Sequence, residues 1–215
     1  MPPDLRDFTK APIRGRLEAF LLDQARGTEP DVVVRRKSEV IGEMQGVIVE
    51  LGPGPGTNLP YYQPDVHVIA VEPNPAMHPR LRRSAAAHGT DVDIRTVHGE
   101  RIDVADDAAD AAVCTLVLCG VDDAPQVIRE IKRVVKPGGT VFFYEHVRAP
   151  ERSLTRLAQR VLSAPHKWVF NGCEVQRDTA SLLRRAGFAE LSLESVDGGW
   201  PMAHTRPRIM GTAVV

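Results

Sequence analysis

At 215 residues the chain is long enough for one domain with a real core and leaves little for a second, so any cofactor and substrate must share one sheet. Its 27 basic and 28 acidic side chains leave a net charge of −1, which offers no field to hold a polyanion and sets nucleic acid aside as a partner. A 43% hydrophobic and 26% charged composition excludes disordered and collagen-like chains, and no apolar run approaches the roughly 18 to 20 residues that cross a bilayer.

The opening MPPDLRDFTKAPIRGR mixes acids, bases and prolines and lacks the apolar centre of a secretory signal, so a cytoplasmic location is expected. From Gly15 to Gln24, Leu17, Phe20 and Leu21 recur at helical spacing before Gly27, which predicts an amphipathic helix. A second short helix is expected from Val34 to about Glu43. The two fit a cap across a cleft and packing on a sheet edge equally well, and peripheral membrane contact by the first is left open.

From residue 47 the pattern changes to short β-branched runs: 47–51, 66–72, 92–97, 111–118 and 140–146. Helical spacing fills 75–87 and 124–135, the latter with Val127, Ile128, Ile131, Val134 and Val135 on one face. This alternation predicts a mostly parallel sheet covered on both sides, a doubly wound α/β fold. Lys136, Pro137, Gly138 and Gly139 end the second helix and turn the chain into its next strand. Helices near 153–162 and 178–186, then strands at 189–196 and 206–214, complete the chain.

The stretch VIVELGPGPGTN runs a buried strand into a loop carrying Gly52, Gly54 and Gly56. Alternate glycines at a strand end let backbone approach a ligand at the carboxyl edge of the sheet. The spacing is not the GxGxxG of pyrophosphate binders, and Glu50 just before it repels phosphate while suiting an ammonium. Glu72 ends the next strand, where a carboxylate takes both hydroxyls of an unphosphorylated ribose.

VIVELGPGPG, VIAVEPNP, the GE of HGERI, DAAVCTLVLC and RVVKPGG together resemble the class I S-adenosylmethionine-dependent methyltransferases, in the order of that family. The resemblance implies a Rossmann-like sheet of seven strands with an antiparallel last strand, and S-adenosylmethionine as cofactor. It places Glu50, Gly52, Pro53, Gly54, Gly56 and Asn58 near the methionine part and Glu72 on the ribose. Pro73 and Asn74 then adjoin sugar and adenine, Gly99, Glu100 and Arg101 border the adenine, and Thr115 with Leu116 form the floor. Residues 1–45 become a helical cap segment and 46–215 the methyltransferase domain. CTLVLCGV, FYEHVRAP, WVFNGCEVQRDT and TRPRIMGTAV further resemble the animal thiol S-methyltransferases and, more broadly, the ubiquinone/menaquinone-biosynthesis methyltransferases. The animal enzymes carry an apolar N-terminal anchor where this sequence has only the segment 15–24.

A small-molecule acceptor is therefore expected, most simply a thiol, which at a pKa near 8.5 supplies some thiolate at neutral pH. A quinol, phenol or lipid-like acceptor needs a base. Glu145 and His146, ending the strand TVFFYEH, are the candidates, with loop bonding weighing equally for His146. His166, Trp168, Phe170, Asn171 and Cys173, between two helices, are the candidate acceptor wall. Arg206 and Arg208 suit a solvated strand face better than an acidic acceptor. The three cysteines, Cys114, Cys119 and Cys173, lack CxxC spacing, so neither disulfide nor metal is expected, and Cys119 and Cys173 read as packing. A non-catalytic cofactor-binding module is the alternative of another class. An NAD-dependent oxidoreductase is disfavoured by the missing GxGxxG, and oligomeric state is not legible.

Overall fold

The computed structural model describes residues 8, 12–24, 27–170, 172–199 and 202–215. Two helices, α1 (Pro12–Gln24) and α2 (Asp31–Ile41), precede the sheet. Five parallel strands follow: β1 (Val47–Leu51), β2 (His67–Val71), β3 (Asp91–Arg95), β4 (Ala109–Thr115) and β5 (Val135–His146). Helix α3 (His78–His88) links β2 to β3 and α4 (Ala124–Val134) links β4 to β5. The chain then runs through α5 (Leu154–Val169), α6 (Thr179–Arg185), β6 (Glu190–Asp197) and β7 (Pro207–Val214). The seven strands lie in the order β3-β2-β1-β4-β5-β7-β6, and β7 is antiparallel to both neighbours. This is the expected seven-stranded sheet with its antiparallel last strand. No helix among the described residues is long and apolar enough to cross a membrane.

The runs VIVEL and HVIAV are apolar at nearly every position because both faces of these strands are covered. Alternate side chains serve opposite cores. Val49, Leu51, Ile69 and Val71 pack with Val127, Ile131 and Val134 of α4 and Leu183 of α6. Ile48, Val68 and Ala70 pack with Val33 and Ile41 of α2 and Leu81 of α3 on the other face. Helix α4 is capped by Asp123, whose carboxylate accepts from the Gln126 N–H at 2.9 Å, and Lys132 and Arg133 sit in its last turn, matching its dipole.

Two elements differ most from expectation, while α2, α3 and β4 are shifted by up to three residues at an end. Strand β5 begins at Val135, so the Lys136–Gly139 turn lies inside it as an irregular entry opposite Ala109–Ala111. A Cβ at Gly139 would lie 2.8 Å from the Asp110 carbonyl oxygen, so only glycine lets the strands close there. Helix α5 continues through Pro165 to Val169. The proline forfeits a single backbone bond, whereas the turn beyond it gains His166, buried against Phe170 with ring centroids 4.5 Å apart.

Candidate functional site

The carboxyl ends of β1, β2, β4 and β5 open on a cavity of about 560 Å³, of the size that holds a small-molecule ligand. One wall is the loop after β1. Gly52, Gly54 and Gly56 all have positive φ, at +55°, +57° and +83°. At Gly52 a Cβ would come within 2.6 Å of Val117 Cγ2, and at Gly56 within 2.9 Å of Leu59 Cδ1, so these two glycines serve packing. At Gly54 a Cβ would meet nothing within 4 Å: the loop presents bare backbone to open space. Gly52, Pro53 and Gly54 line the cavity, and Gly56 does not.

Glu72, also in the lining, is almost fully buried and accepts from Gly54 N at 3.0 Å and Asn74 N at 2.8 Å. Burial raises its pKa to about 7 against the pull of those two amides. Each oxygen keeps a further lone pair, so a pair of ligand hydroxyls can still be accepted.

Pro73, Gly99, Glu100, Thr115 and Leu116 also line the cavity. Glu100 takes the Asp122 N–H at 3.0 Å, and Leu116 sits at φ +59°, a left-handed conformation rare for leucine, with its amide bonded to the Tyr144 carbonyl at 2.7 Å.

Several expected contacts fall elsewhere. Glu50 is fully buried behind the loop, its oxygens taken by Asn58 Nδ2 at 2.8 Å and the Tyr62 hydroxyl at 3.0 Å, with its pKa raised by burial to about 6. Neither Glu50 nor Asn58 lines the cavity; the pair fixes the loop from below, and Asn58 also donates to Thr115 Oγ1 at 3.0 Å. The Asn74 side chain turns toward α1, donating to Gly15 O and Glu18 Oε2, each at 3.0 Å. Arg101 lines a separate depression with Glu130 and Arg133.

The opposite wall holds His146, His166, Phe170 and Cys173. Glu145 points away. Fully buried, it accepts from the amides of Val117 (2.8 Å), Leu118 (2.9 Å) and Cys119 (3.2 Å), while burial lifts its pKa to about 7. The reason is strand alternation: consecutive residues of β5 face opposite sides, so Glu145 and His146 cannot both face the cavity. Glu145 is thus a positioning residue for the turn after β4. Trp168 stands 58% exposed outside the cavity, with Arg14 stacked over its ring, and Asn171 lies outside the described residues.

His146 Nδ1 lies 3.4 Å from Cys119 Sγ and 3.5 Å from Cys173 Sγ, and the two sulfurs are 3.5 Å apart. Its Nε2 is buried with no hydrogen-bond partner, as is Nε2 of His166, whose Nδ1 is 3.1 Å from His204 Nε2. The hydrogen bond shared with Cys119 holds the Cys173 thiol well below its usual pKa, with His146 and His166 acting in the same direction, and raises that of Cys119. Packing is therefore not the whole account of these cysteines.

Sequence reading missed Lys37 and His204 and put Arg208 on a solvated strand face. Lys37 is fully buried, lines the cavity and pairs with Glu29 at 2.5 Å; its signal was a lysine in the buried stripe Val33, Lys37, Ile41. Arg208 lines the cavity and bonds the Tyr144 hydroxyl rather than facing solvent, whereas Arg206 pairs with the exposed Asp197. Glu18 and Leu22 of α1 and Val34 of α2 add to the lining from the N-terminal side.

A methyltransferase-domain family model matches residues 49–143. The thiol S-methyltransferase TMT1B of Rattus norvegicus is 39% identical over 170 residues, spanning 78% of this chain and 70% of that protein. The Homo sapiens TMT1B is 34% identical over 196 residues, spanning 83% and 78%. Among solved structures, an S-adenosylmethionine-dependent methyltransferase from Thermotoga maritima superposes with a TM-score of 0.61 at 20% identity over 93% of this chain and 99% of that one, a likeness of fold.

Proposed function

The chain belongs to the class I S-adenosylmethionine-dependent methyltransferases, and we propose that its acceptor is a small thiol, bound between the glycine loop and the His146 wall. The protein is an enzyme, and S-adenosylmethionine supplies it with a sulfonium methyl group.

The cavity suits that donor: Gly54 leaves an open cradle of backbone, and Glu72 offers two acceptor oxygens beside it. In this reading Glu72 takes the ribose hydroxyls. Gly52, Pro53 and Gly54 lie along the methionine part, Pro73, Gly99, Glu100 and Leu116 around sugar and base, and Thr115 on the floor. Helices α1 and α2, through Glu18, Leu22, Val34 and Lys37, close over them as a cap. Glu50, Asn58 and Glu145 hold the surrounding loops and touch neither partner.

The observation that carries the acceptor assignment is the opposite wall, where an imidazole edge with no protein partner, His146 Nε2, stands beside Cys173, His166 and Phe170. In-line methyl transfer asks the protein mainly to align nucleophile, methyl and sulfur and to exclude water. His146 Nε2 takes the thiol proton, the apolar ring of Phe170 keeps water out, and the methyl passes to the acceptor sulfur. The thiol reading also rests on what the TMT1B relatives are named for. The free cysteines suit a reducing cytoplasm.

The test is release of S-adenosylhomocysteine when the protein meets S-adenosylmethionine with an alkyl thiol, a phenol, a quinol or no acceptor. Turnover is expected with the thiol. Turnover confined to the oxygen acceptors would overturn the assignment in favour of base-assisted O- or C-methylation.

A further inference from the structure

Cys119, His146 and Cys173 come from three separate elements and meet at the inner wall of the cavity. His146 ends β5, Cys119 lies in the turn after β4, and Cys173 follows α5. Their ligand atoms are mutually 3.4, 3.5 and 3.5 Å apart. Around a tetrahedral zinc ion, with Zn–S of about 2.3 Å and Zn–N of about 2.0 to 2.1 Å, neighbouring ligand atoms sit about 3.5 to 3.8 Å apart. Two thiols and an imidazole nitrogen are also the donor set that soft and borderline cations prefer over oxygen sites.

The surroundings hold this triangle in place. Glu145 anchors the amides of residues 117–119. The Glu174 N–H donates to the Cys119 carbonyl at 2.7 Å, and Arg177 Nη1 donates to Leu118 O at 2.8 Å, stitching the Cys173 loop to the Cys119 turn. Beside the triangle, Nε2 of His146 and Nε2 of His166 are buried polar atoms with no protein partner, although each would ordinarily be satisfied. His146 and Cys173 line the cavity while Cys119 lies behind them, so the side of the triangle without a protein ligand opens toward the acceptor.

We propose that Cys119 Sγ, Cys173 Sγ and His146 Nδ1 bind a zinc-type divalent cation, with its fourth position taken by the sulfur of the acceptor thiol. Two cysteines and one histidine with an open position is a donor set used by catalytic zinc. The cation site stands on geometry alone; the sulfur in its fourth position rests on the thiol reading above. As the cation binds, the Cys119 and Cys173 S–H bonds break, each sulfur keeping its electron pair and each proton leaving to water. When the acceptor then binds, its S–H bond breaks, its sulfur keeps the electron pair and donates it to the cation, and its proton passes to His166 Nε2 and on to water. A lone pair of that sulfur then forms the new S–CH3 bond while the sulfonium–methyl bond breaks, its electron pair staying on the departing sulfur. The two products are thioethers, weak ligands that leave the cation. With the cation bound, thiol deprotonation falls to His166, and His146 serves through Nδ1 as a ligand.

The full chain, stripped with a chelator and titrated with Co(II), tests this apart from activity. Expected are the visible bands of tetrahedral cobalt and a near-ultraviolet thiolate-to-cobalt band, rising to a one-to-one endpoint and displaced by zinc. Cys119→Ser and Cys173→Ser should each weaken cobalt binding by more than about 100-fold. Cys173 is the less buried, so Cys173→Ser and His146→Asn keep the test open if Cys119→Ser fails to fold, with retained S-adenosylmethionine binding as the check on folding. Absence of the thiolate band, or its persistence unchanged in Cys173→Ser, overturns the site. An alkyl thiol added without methyl donor should shift the visible bands; no shift overturns the open-position assignment. Full thiol turnover by stripped protein overturns the cation's part while leaving thiol methylation standing. Cobalt binding with no methyl transfer to any thiol leaves the site and overturns the acceptor reading.

Discussion

The two walls of the cavity are built on different principles. The donor wall is local and made of backbone: Gly54 and Glu72 are 18 residues apart, at the ends of the consecutive, paired strands β1 and β2, and Glu72 accepts from the Gly54 amide directly. The acceptor wall is assembled from side chains far apart in sequence, with Cys119, His146 and Cys173 spaced 27 residues from one to the next. Backbone-built sites need glycine and a strand end, and so write themselves as a motif; side-chain sites need only that topology bring their parts together.

The largest expected effect breaks the donor wall. Gly54→Val places a branched side chain in the cradle at φ +57°, and S-adenosylmethionine affinity by calorimetry should fall at least about 100-fold, with about 1 to 2 kcal/mol lost from folding. Next is the support of the acceptor wall. Glu145→Gln replaces an acceptor of three amides by a group with one acceptor oxygen and a donor that faces them, at a cost of about 2 to 3 kcal/mol in denaturant unfolding. A pH–rate profile that keeps its shape in the folded fraction would separate this positioning role from a catalytic one.

Smaller and more diagnostic is the pH dependence of donor binding. Burial raises the Glu72 pKa to about 7, and only the ionised carboxylate accepts both ribose hydroxyls. The competent fraction therefore falls as pH drops through that value, so affinity should be about tenfold weaker at pH near 6 than at pH near 8. Glu72→Gln should lose about tenfold in affinity at pH 8 and flatten this dependence; a dependence unchanged in the variant would reassign the titrating group. The smallest effect is expected at Trp168→Ala. The ring is 58% exposed and outside the cavity, so acceptor KM should change less than about twofold and stability by less than about 0.5 kcal/mol.

These contrasts also explain what the sequence made legible. Strand β1 shows its bounds because both faces of VIVEL are covered, and α4 because its stripe and its Asp123 cap are local. Glu50 misled because a carboxylate before the glycines looks the same whether it faces a ligand or, as here, Asn58 and Tyr62. Glu145 misled because two polar residues ending a strand reveal that one faces the cavity, not which one. The extent of α5 was hidden by Pro165, whose local cost is outweighed by the burial of His166, and the His166–His204 contact spans 38 residues. A lysine on a buried helical stripe was readable at Lys37 and was passed over.

Asn74 joins the floor of the cavity to its N-terminal edge. Its amide is held by Glu72 at 2.8 Å while its side chain grips Gly15 and Glu18 of α1 at 3.0 Å. Asn74 thus ties the Glu72 carboxylate to α1, and donor added to the protein is expected to raise the hydrogen-exchange protection of α1. Asn74→Ala, which removes the bonds to Gly15 and Glu18, should abolish that rise.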